Sequence, residues 1–271
     1  MVSTTKRAYA DTPSGQIHYR YLLNNHCTKR LPIVFIHMSA SSSFCWEPLM
    51  RQYAPLGYSC YAIDIPGFGS SYDPVTVPDT AYYVHIFADM FKSLGLFTTG
   101  FHLMGHHSGA CLSLEMAVLY PAVVRSIALI GPVLLTAEER VQMREQYYKP
   151  FNQPVPDGSH LAKTWKYLGD MGCSDDLDIK LQEVLDHARA WKGRTQIYGA
   201  VWQQDGIALF MQAKCPILAL CAKDDVLWPY FYKVKEMRPE VIAEAVLGGN
   251  FEPDRDAVGI ARIYTAFLDR A

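Results

Sequence analysis

Short apolar segments alternate with helical segments along much of the sequence, and this alternation limits the folds open to the chain. The segments 31–37, 58–65, 101–106 and 125–131 are each typical of a strand buried on both faces. Segments with helical spacing separate them, and the alternation returns over 215–268. Such strands, joined through helices, are typical of a parallel sheet with right-handed crossovers. The sequence therefore predicts an α/β fold, with a mostly parallel sheet flanked by helices.

Two regions differ from this pattern. Residues 1–25 predict a β-hairpin, because two strand-like segments flank a turn rich in Pro, Ser and Gly. Residues 133–212 contain many aromatic and charged residues but no segment typical of a buried strand. Because strands are predicted on both sides, we expect a helical cap inserted after the fourth buried strand rather than a second domain. The predicted core comprises 1–132 and 213–271, with 133–212 as the cap.

The junction between the third buried strand and its helix carries a distinctive motif. Small residues, Gly105 and Gly109, stand two positions before and two positions after His107. This is the spacing of a nucleophile elbow, a sharp turn that holds its central residue in strained backbone angles above a helix N-terminus. The motif therefore places His107 where such a fold carries its reactive residue.

Further motifs occur in order on either side of this elbow, and with them the chain resembles the α/β-hydrolase-fold superfamily of the capped, single-domain type. The resemblance covers nearly the whole chain outside the cap. It implies an oxyanion loop after the first buried strand, a catalytic acid after the strand at 215–222 and a general base near the end. The matching segments are 34–37 with Trp46 beyond, 64–70, the elbow with 115–117 and 120–121, and 248–249.

Two positions depart from the family pattern and predict a non-standard triad. The family places Ser, Asp or Cys at the centre of the elbow, where this chain has His107, and a histidine base where this chain has Asn250. No histidine follows His187, so the usual base cannot come late in the chain. Shifting the elbow by one residue would make Ser108 the nucleophile, but it would put His106 where a small residue is needed.

His107 is the expected centre of the chemistry. An imidazole is a competent acid or base near neutral pH, and burial above a helix N-terminus favours its neutral form. It could move a proton or activate water without a covalent intermediate. By motif position Asp224 matches the family's acid best, and Asp225 is the other candidate. Asn250 could orient substrate or water but cannot accept a proton.

Other residues are expected to bind the substrate. The resemblance implies that backbone N–H groups of the oxyanion loop and of the elbow hold a negative oxygen. An aromatic cap with few charges facing the site suits an apolar, ring-containing small molecule. His160 and His187 could replace the missing base, although each also fits a surface position. The expected binding residues are Met38, Ser39, Ser108, Trp165, Trp191, Trp202 and Trp228.

Composition excludes several classes of partner. The 25 Lys and Arg residues nearly balance 27 Asp and Glu residues, so no bulk field attracts nucleic acid or a membrane surface. Residues 93–114 carry no charge but are too polar to span a bilayer. We expect no cofactor and no metal, because nucleotide and zinc motifs are absent and His37, His106 and His107 lack a fourth ligand. The seven cysteines show no metal spacing and no signal peptide precedes them, which predicts a reduced cytoplasmic protein.

Three functions remain open. Loss of the usual nucleophile and base, with the oxyanion loop and cap retained, favours a cofactor-independent enzyme that uses His107 for proton transfer. Cyclisation, dehydration, isomerisation or C–C cleavage in the biosynthesis of a small metabolite would fit. The alternative is a hydrolase of an ester, lactone or C–C bond that uses His107-activated water or Ser108. The third hypothesis is a non-catalytic binder of a small molecule.

Overall fold

An eight-stranded sheet forms the centre of the computed structural model, which describes residues 4–23 and 30–270. Its strands are β1 (Lys6–Thr12), β2 (Gly15–Leu22), β3 (Ile33–Ile36), β4 (Cys60–Ile63), β5 (Phe101–His106), β6 (Val124–Ile130), β7 (Ile217–Ala222) and β8 (Ile242–Val246). Their order is β1-β2-β4-β3-β5-β6-β7-β8. The pairs β1–β2 and β2–β4 are antiparallel, and all other pairs are parallel. The predicted α/β fold with a mostly parallel sheet is confirmed.

The predicted hairpin corresponds to β1 and β2, which pair from Lys6 opposite Tyr21 to Thr12 opposite Gly15. The ends of that prediction, 1–3 and 24–25, lie outside the described residues. So does Cys27, whereas the six other cysteines are free thiols.

Thirteen helices accompany the sheet in the described ranges. They are α1 (Glu47–Tyr53), α2 (Thr80–Ser93), α3 (Leu96–Thr99), α4 (Ser108–Leu119), α5 (Ala137–Tyr147), α6 (Ser159–Asp170), α7 (Leu177–Arg189), α8 (Trp191–Val201), α9 (Gly206–Gln212), α10 (Trp228–Phe231), α11 (Lys233–Met237), α12 (Glu252–Arg255) and α13 (Ala257–Leu268). Short 3-10 turns cover Ser43–Trp46, Ala54–Leu56 and Gly249–Phe251. None of the helices in these ranges is both long enough and apolar enough to cross a bilayer.

Both faces of the sheet are buried, as β3 illustrates. Val34 and Ile36 belong to the apolar cluster on one face, which includes buried residues of α2 and α4. Ile33 and Phe35 belong to the cluster on the other face, which includes buried residues of α1 and α13. Successive strand residues point to opposite faces, so a strand covered on both sides must be apolar throughout.

The segment predicted as the cap, 133–212, contains α5 to α9 and no strand. It follows β6, the fourth of the buried strands, and the chain then returns to the sheet at β7. Helix α8 contacts α2 and α4, and α9 contacts α4. The cap helices therefore lie next to the helix that begins at the elbow.

Candidate active site

His107 occupies the sharp turn between β5 and α4. Its backbone has φ 48° and ψ −110°, and it is the one non-glycine residue with positive φ in the described ranges. A Cβ atom on Gly105 would lie 2.1 Å from the carbonyl oxygen of Gly109, and one on Gly109 would lie 2.1 Å from that of Ile36. Glycine is therefore required at both positions. The turn has the geometry of a nucleophile elbow, and strain of this kind costs about 1–3 kcal/mol.

The imidazole of His107 is paired with a buried carboxylate. Nε2 of His107 lies 2.6 Å from Oδ2 of Asp225. The Asp225 side chain is fully buried, whereas that of His107 is 17% exposed. The backbone N–H of Leu227 donates to the other oxygen of Asp225 at 2.6 Å, which fixes the carboxylate. No described residue bonds Nδ1 of His107, so this nitrogen is the one left for chemistry.

Asp225, rather than Asp224, is the acid in contact with His107, which corrects the choice made from motif position. The Asp224 side chain is exposed. The chain turns after β7, where the backbone N–H of Asp225 donates to the carbonyl oxygen of Ala222 at 3.1 Å. The turn directs the second of the two carboxylates inward, and motif spacing does not determine this direction.

Asn250, at the family's base position, is bonded to backbone at both ends of its amide. Oδ1 accepts a hydrogen bond from the N–H of Val226 at 3.2 Å. Nδ2 donates to the carbonyl oxygen of Met171, which follows α6, at 3.0 Å. Asn250 thus ties the loop that carries Asp225 to the cap.

The oxyanion loop after β3 contacts the first residue of α4. The backbone N–H of Ser39 donates to Oγ of Ser108 at 2.8 Å. The backbone N–H of Ser108 belongs to the first turn of α4, where N–H groups lack partners within the helix. His37 donates from Nδ1 to the carbonyl oxygen of Met38 at 2.6 Å and accepts at Nε2 from the N–H of Ile65 at 3.0 Å. The N–H of Ser108 can therefore donate to a bound group, whereas that of Ser39 is already engaged by Oγ of Ser108.

A cavity opens beside His107 between the elbow and the cap. Its volume is about 60 Å³, counted as the space open to the centres of water molecules. One water needs about 10–15 Å³ on this measure, so the cavity admits a small organic group. No Asp, Glu, Lys or Arg of the described ranges lines it. The lining consists of Met38, Ser39, His107, Ser108, Val133, Met143, Tyr147, Tyr167, Met171, His187, Tyr198, Val201, Trp202, Val226, Leu227, Asn250 and Phe251.

Only one of the four tryptophans expected in the pocket, Trp202, lines it. The predictions for the other three are wrong, because composition does not say which face of a cap helix points inward. Tyr147, Tyr167 and Tyr198 form the aromatic wall instead. The other three tryptophans lie elsewhere. The ring of Trp165, which is 37% exposed, has its centroid 4.7 Å from Nζ of Lys180, and the ring of Trp191 has its centroid 5.2 Å from Nζ of Lys192. The ring of Trp228 stacks on that of Phe231 with their centroids 5.4 Å apart.

The two cap histidines differ in position. His187 is buried and lines the cavity, so the surface position considered for it is wrong. Its Nδ1 donates to the carbonyl oxygen of Glu183 at 2.9 Å. Burial lowers the pKa of His187 to about 4, which keeps the ring neutral. His160 is half-buried and is not part of the cavity lining.

Gly131, which follows β6, is a further residue of the site and was not identified from the sequence. Its φ is 56°, and a Cβ atom there would lie 2.2 Å from Cδ2 of His107. The imidazole therefore occupies the space that any side chain at this position would need. The Gly-Pro pair directly after a buried strand is the sequence signal that could have identified it.

A second histidine and a second carboxylate lie behind the His107–Asp225 pair. Nε2 of His106 is 2.9 Å from Oε2 of Glu252, and the two side chains are 1% and 0% exposed. Burial, and then the charge of Asp225, holds the pKa of Glu252 well above its usual range. Burial, and then the charge of His107, lowers the pKa of His106 well below its usual range. Glu252 was not identified from the sequence, since its partner His106 is distant along the chain.

Helix α7 is joined to the oxyanion loop through buried carboxyl groups. Oγ of Ser41 donates to Oε1 of Glu183 at 2.7 Å, and Oγ of Ser42 donates to Oδ2 of Asp186 at 2.7 Å. Burial raises the pKa of Asp186 to about 6. Burial likewise raises the pKa of Glu183 well above its usual range, so the cap is attached beside the site by carboxyl groups that burial makes harder to ionise.

Replacing Asp186 with asparagine is expected to stabilise the protein at about pH 8 by about 1 to 2 kcal/mol and to give roughly half of that gain at about pH 5. The pKa of Asp186 is raised on folding, so its contribution to stability is complete below the usual value of 3.8 and is lost as the pH rises through about 6. Urea unfolding at both pH values measures this difference. Asp175, which is exposed and lies just before α7, is the control for the Asp→Asn change. Equal effects of Asp186→Asn at both pH values would contradict the prediction.

The fold and the elbow define an α/β hydrolase. The sequence profile of the α/β hydrolase family matches residues 33–255, more than half of the chain, so the chain belongs to this family.

Individual relatives are more distant. A probable lysophospholipase of Arabidopsis thaliana, BODYGUARD 2, is 29% identical over 149 residues, covering 51% of this chain and 31% of that protein. The chain thus spans about a third of the length of the first curated relatives it matches. A fluoroacetate dehalogenase from a Burkholderia species is 25% identical over 245 residues, 79% of each protein. The crystal structure of the enol-lactonase from Burkholderia xenovorans LB400 matches with a TM-score of 0.79 at 12% identity, covering 97% of this chain and 100% of that one, and shows the fold alone.

Proposed function

We propose that this chain hydrolyses an ester or lactone bond in a small, neutral, largely apolar molecule, with His107 activating water as general base. The observation that carries the proposal is the 2.6 Å contact of Nε2 of His107 with the buried Asp225, which leaves Nδ1 free beside the cavity. The curated relatives are named as a probable lysophospholipase and a fluoroacetate dehalogenase, which favours hydrolysis over the proton-transfer chemistry expected from the missing triad residues.

In the proposed reaction, water in the cavity gives a proton to Nδ1 of His107 while its oxygen bonds to the carbonyl carbon. Asp225 holds the opposite ring nitrogen and stabilises the imidazolium that forms. The N–H of Ser108, at the positive end of α4, holds the developing oxyanion. The C–O bond to the leaving group then breaks, and Nδ1 returns the proton to the leaving oxygen.

The cavity supports the substrate class. A carboxylate or ammonium group has no charged partner among the lining residues, and burying it unpaired would be costly. Aromatic and aliphatic side chains form most of the wall, and three tyrosines and His187 line its cap side. An apolar acyl or ring portion fits such a site.

A panel of small aryl esters, alkyl esters and lactones, incubated in ¹⁸O-labelled water, tests the proposal. We expect hydrolysis with one labelled oxygen in the acid product and no labelling of the protein by a fluorophosphonate. Conversion without uptake of water would favour the proton-transfer hypothesis. Retention of compounds without any conversion would favour the binder.

Replacing Ser108 with alanine is expected to keep kcat/KM within about tenfold of the wild-type value, because the oxyanion donor is its backbone N–H. The change also releases the N–H of Ser39 from Oγ of Ser108 and makes a second donor available. Steady-state kinetics on the best substrate of the panel measures the effect. A nucleophilic serine would instead lose activity by a factor of about 10³ or more, and that result would exclude the base mechanism.

A further inference from the structure

Four potential metal ligands meet at the elbow. One ring nitrogen each of His106 and His107 and one carboxylate oxygen each of Asp225 and Glu252 lie within 4.8 Å of one another. Nε2 of each histidine is the nitrogen that faces a carboxylate. Zinc with ligand distances of about 2.1 Å in a tetrahedral site places its ligand atoms about 3.4 Å apart. Small side-chain movements would therefore bring the four atoms to such a geometry. The sequence alone did not predict a metal here, because His37, His106 and His107 lack a fourth ligand and the two carboxylates are distant along the chain.

Each carboxylate is oriented by a backbone N–H on its far oxygen. Leu227 N–H donates to Oδ1 of Asp225 at 2.6 Å, which leaves Oδ2 in the cluster. Ala222 N–H donates to Oε1 of Glu252 at 3.2 Å, which leaves Oε2 in the cluster. Outer hydrogen bonds of this kind hold the ligands of metal sites in place.

Two buried atoms of the cluster lack a hydrogen bond. Nε2 of His106 and Oε2 of Glu252 are 2.9 Å apart, and neither atom makes a hydrogen bond within the described ranges when Glu252 is ionised. A protonated Glu252 would instead bond to Asp225. A buried polar atom without a partner is costly. A cation between the two atoms would satisfy both.

The charge of the cluster also requires compensation. No Lys or Arg forms an ion pair with Asp225 or Glu252 in the part of the chain that the structure covers. Two ionised carboxylates buried together would need two positive charges, supplied by two protons or by one divalent cation. The two imidazoles favour a metal of the zinc class over calcium or magnesium, which prefer oxygen ligands.

We propose that His106, His107, Asp225 and Glu252 form a site for one divalent ion of the zinc class, and that its occupation inhibits the enzyme. Four protein ligands close the coordination shell, so no position remains for an activated water. The ion takes Nε2 of His107 and separates it from Asp225. His107 then keeps its proton on Nδ1, where the proposed reaction needs a lone pair. The inhibition rests on the proposed function, whereas metal binding does not.

Titration of purified, metal-free protein with Co²⁺ tests binding directly. We expect one equivalent to bind and to produce the strong visible absorption of tetrahedral cobalt, which Zn²⁺ then abolishes by displacement. Glu252→Gln is expected to weaken Co²⁺ binding by at least about 10- to 100-fold. Loss of a residue that only hydrogen-bonds to a metal ligand costs that much, and loss of a ligand itself should cost no less. Asp224→Asn, which removes an exposed carboxylate next to the cluster, is expected to bind as the wild type does.

The titration of the wild-type protein alone can overturn the proposal. The test therefore still decides if the Glu252→Gln variant fails to fold. Absence of one-to-one binding, or an octahedral spectrum, excludes the site and leaves two protons as the neutralising charges. Equal binding by wild type and both variants places the ion elsewhere.

In a hydrolysis assay, Zn²⁺ should inhibit and a chelator should restore the rate. A protein that binds Co²⁺ but hydrolyses nothing contradicts the proposed function and not the metal site.

Discussion

Replacement of His107 with glutamine is expected to lower kcat/KM by a factor of about 10² to 10⁴, the range that general-base catalysis contributes. Glutamine fills much of the same space and can still hydrogen-bond to Asp225, but it cannot accept a proton from water. The loss should therefore appear mainly in kcat. Rates on the best ester or lactone of the panel, with circular dichroism to confirm folding, measure the effect.

His160→Gln is the matched control for this change. His160 lies in the cap outside the cavity lining, so its replacement is expected to alter the rate by no more than about twofold. A His107→Gln protein that hydrolyses substrate at the wild-type rate would exclude His107 as the base. If both proteins only bind the compound, and with equal affinity, the binder hypothesis is favoured instead.

The sheet and the elbow could be predicted from sequence because their requirements are local. A strand covered on both faces needs apolar residues at successive positions, and β3 meets this with Ile33 and Val34 packed on opposite sides. The elbow needs glycine because backbone atoms occupy the space of a side chain at Gly105 and Gly109. Both signals are visible within a few residues of sequence.

The remaining site residues depend on the path of distant segments. The inward direction of Asp225 follows from the turn after β7, and the pairing of Glu252 with His106 follows from packing between segments far apart in the chain. The cap residues that line the cavity are still harder to predict from the sequence. Several cap helices are partly exposed, and their composition does not show which face turns to the cavity. Trp165 and Trp202 illustrate this, since only the second faces inward.

Placing an imidazole in the elbow changes what the acid does. In the family's order the acid supports a histidine after β8, and here that position holds Asn250, which is bonded to the acid's loop and to the cap. The acid of this chain instead meets the elbow residue directly. The elbow, which in the family presents a nucleophile, here presents an imidazole together with the carboxylate that it contacts.

Asp225→Asn is expected to lower kcat by a factor of about 10² to 10⁴ with a small change in KM, because it inverts the imidazole tautomer. The N–H of Leu227 bonds Oδ1 of Asp225, so the amide oxygen of asparagine should remain there and its NH₂ group should face His107. That NH₂ donates to Nε2, which moves the ring proton to Nδ1 and removes the lone pair that accepts a proton from water. Kinetics at fixed pH measure the loss, and the ¹⁵N shifts of the ring identify the tautomer.

The neighbouring Asp224→Asn variant provides the comparison, because it makes the same chemical change one residue earlier on an exposed side chain. We expect it to keep kcat within about twofold of wild type. A large loss in Asp224→Asn with a small loss in Asp225→Asn would reverse the assignment and restore the choice made from motif position. Equal, large losses in both variants would mean that the substitutions disturb the loop as a whole. The tautomer of His107 in Asp225→Asn then decides between the two causes. A ring proton on Nδ1 indicates that the loss comes from the inverted tautomer, and an unchanged tautomer indicates that it comes from disruption of the turn.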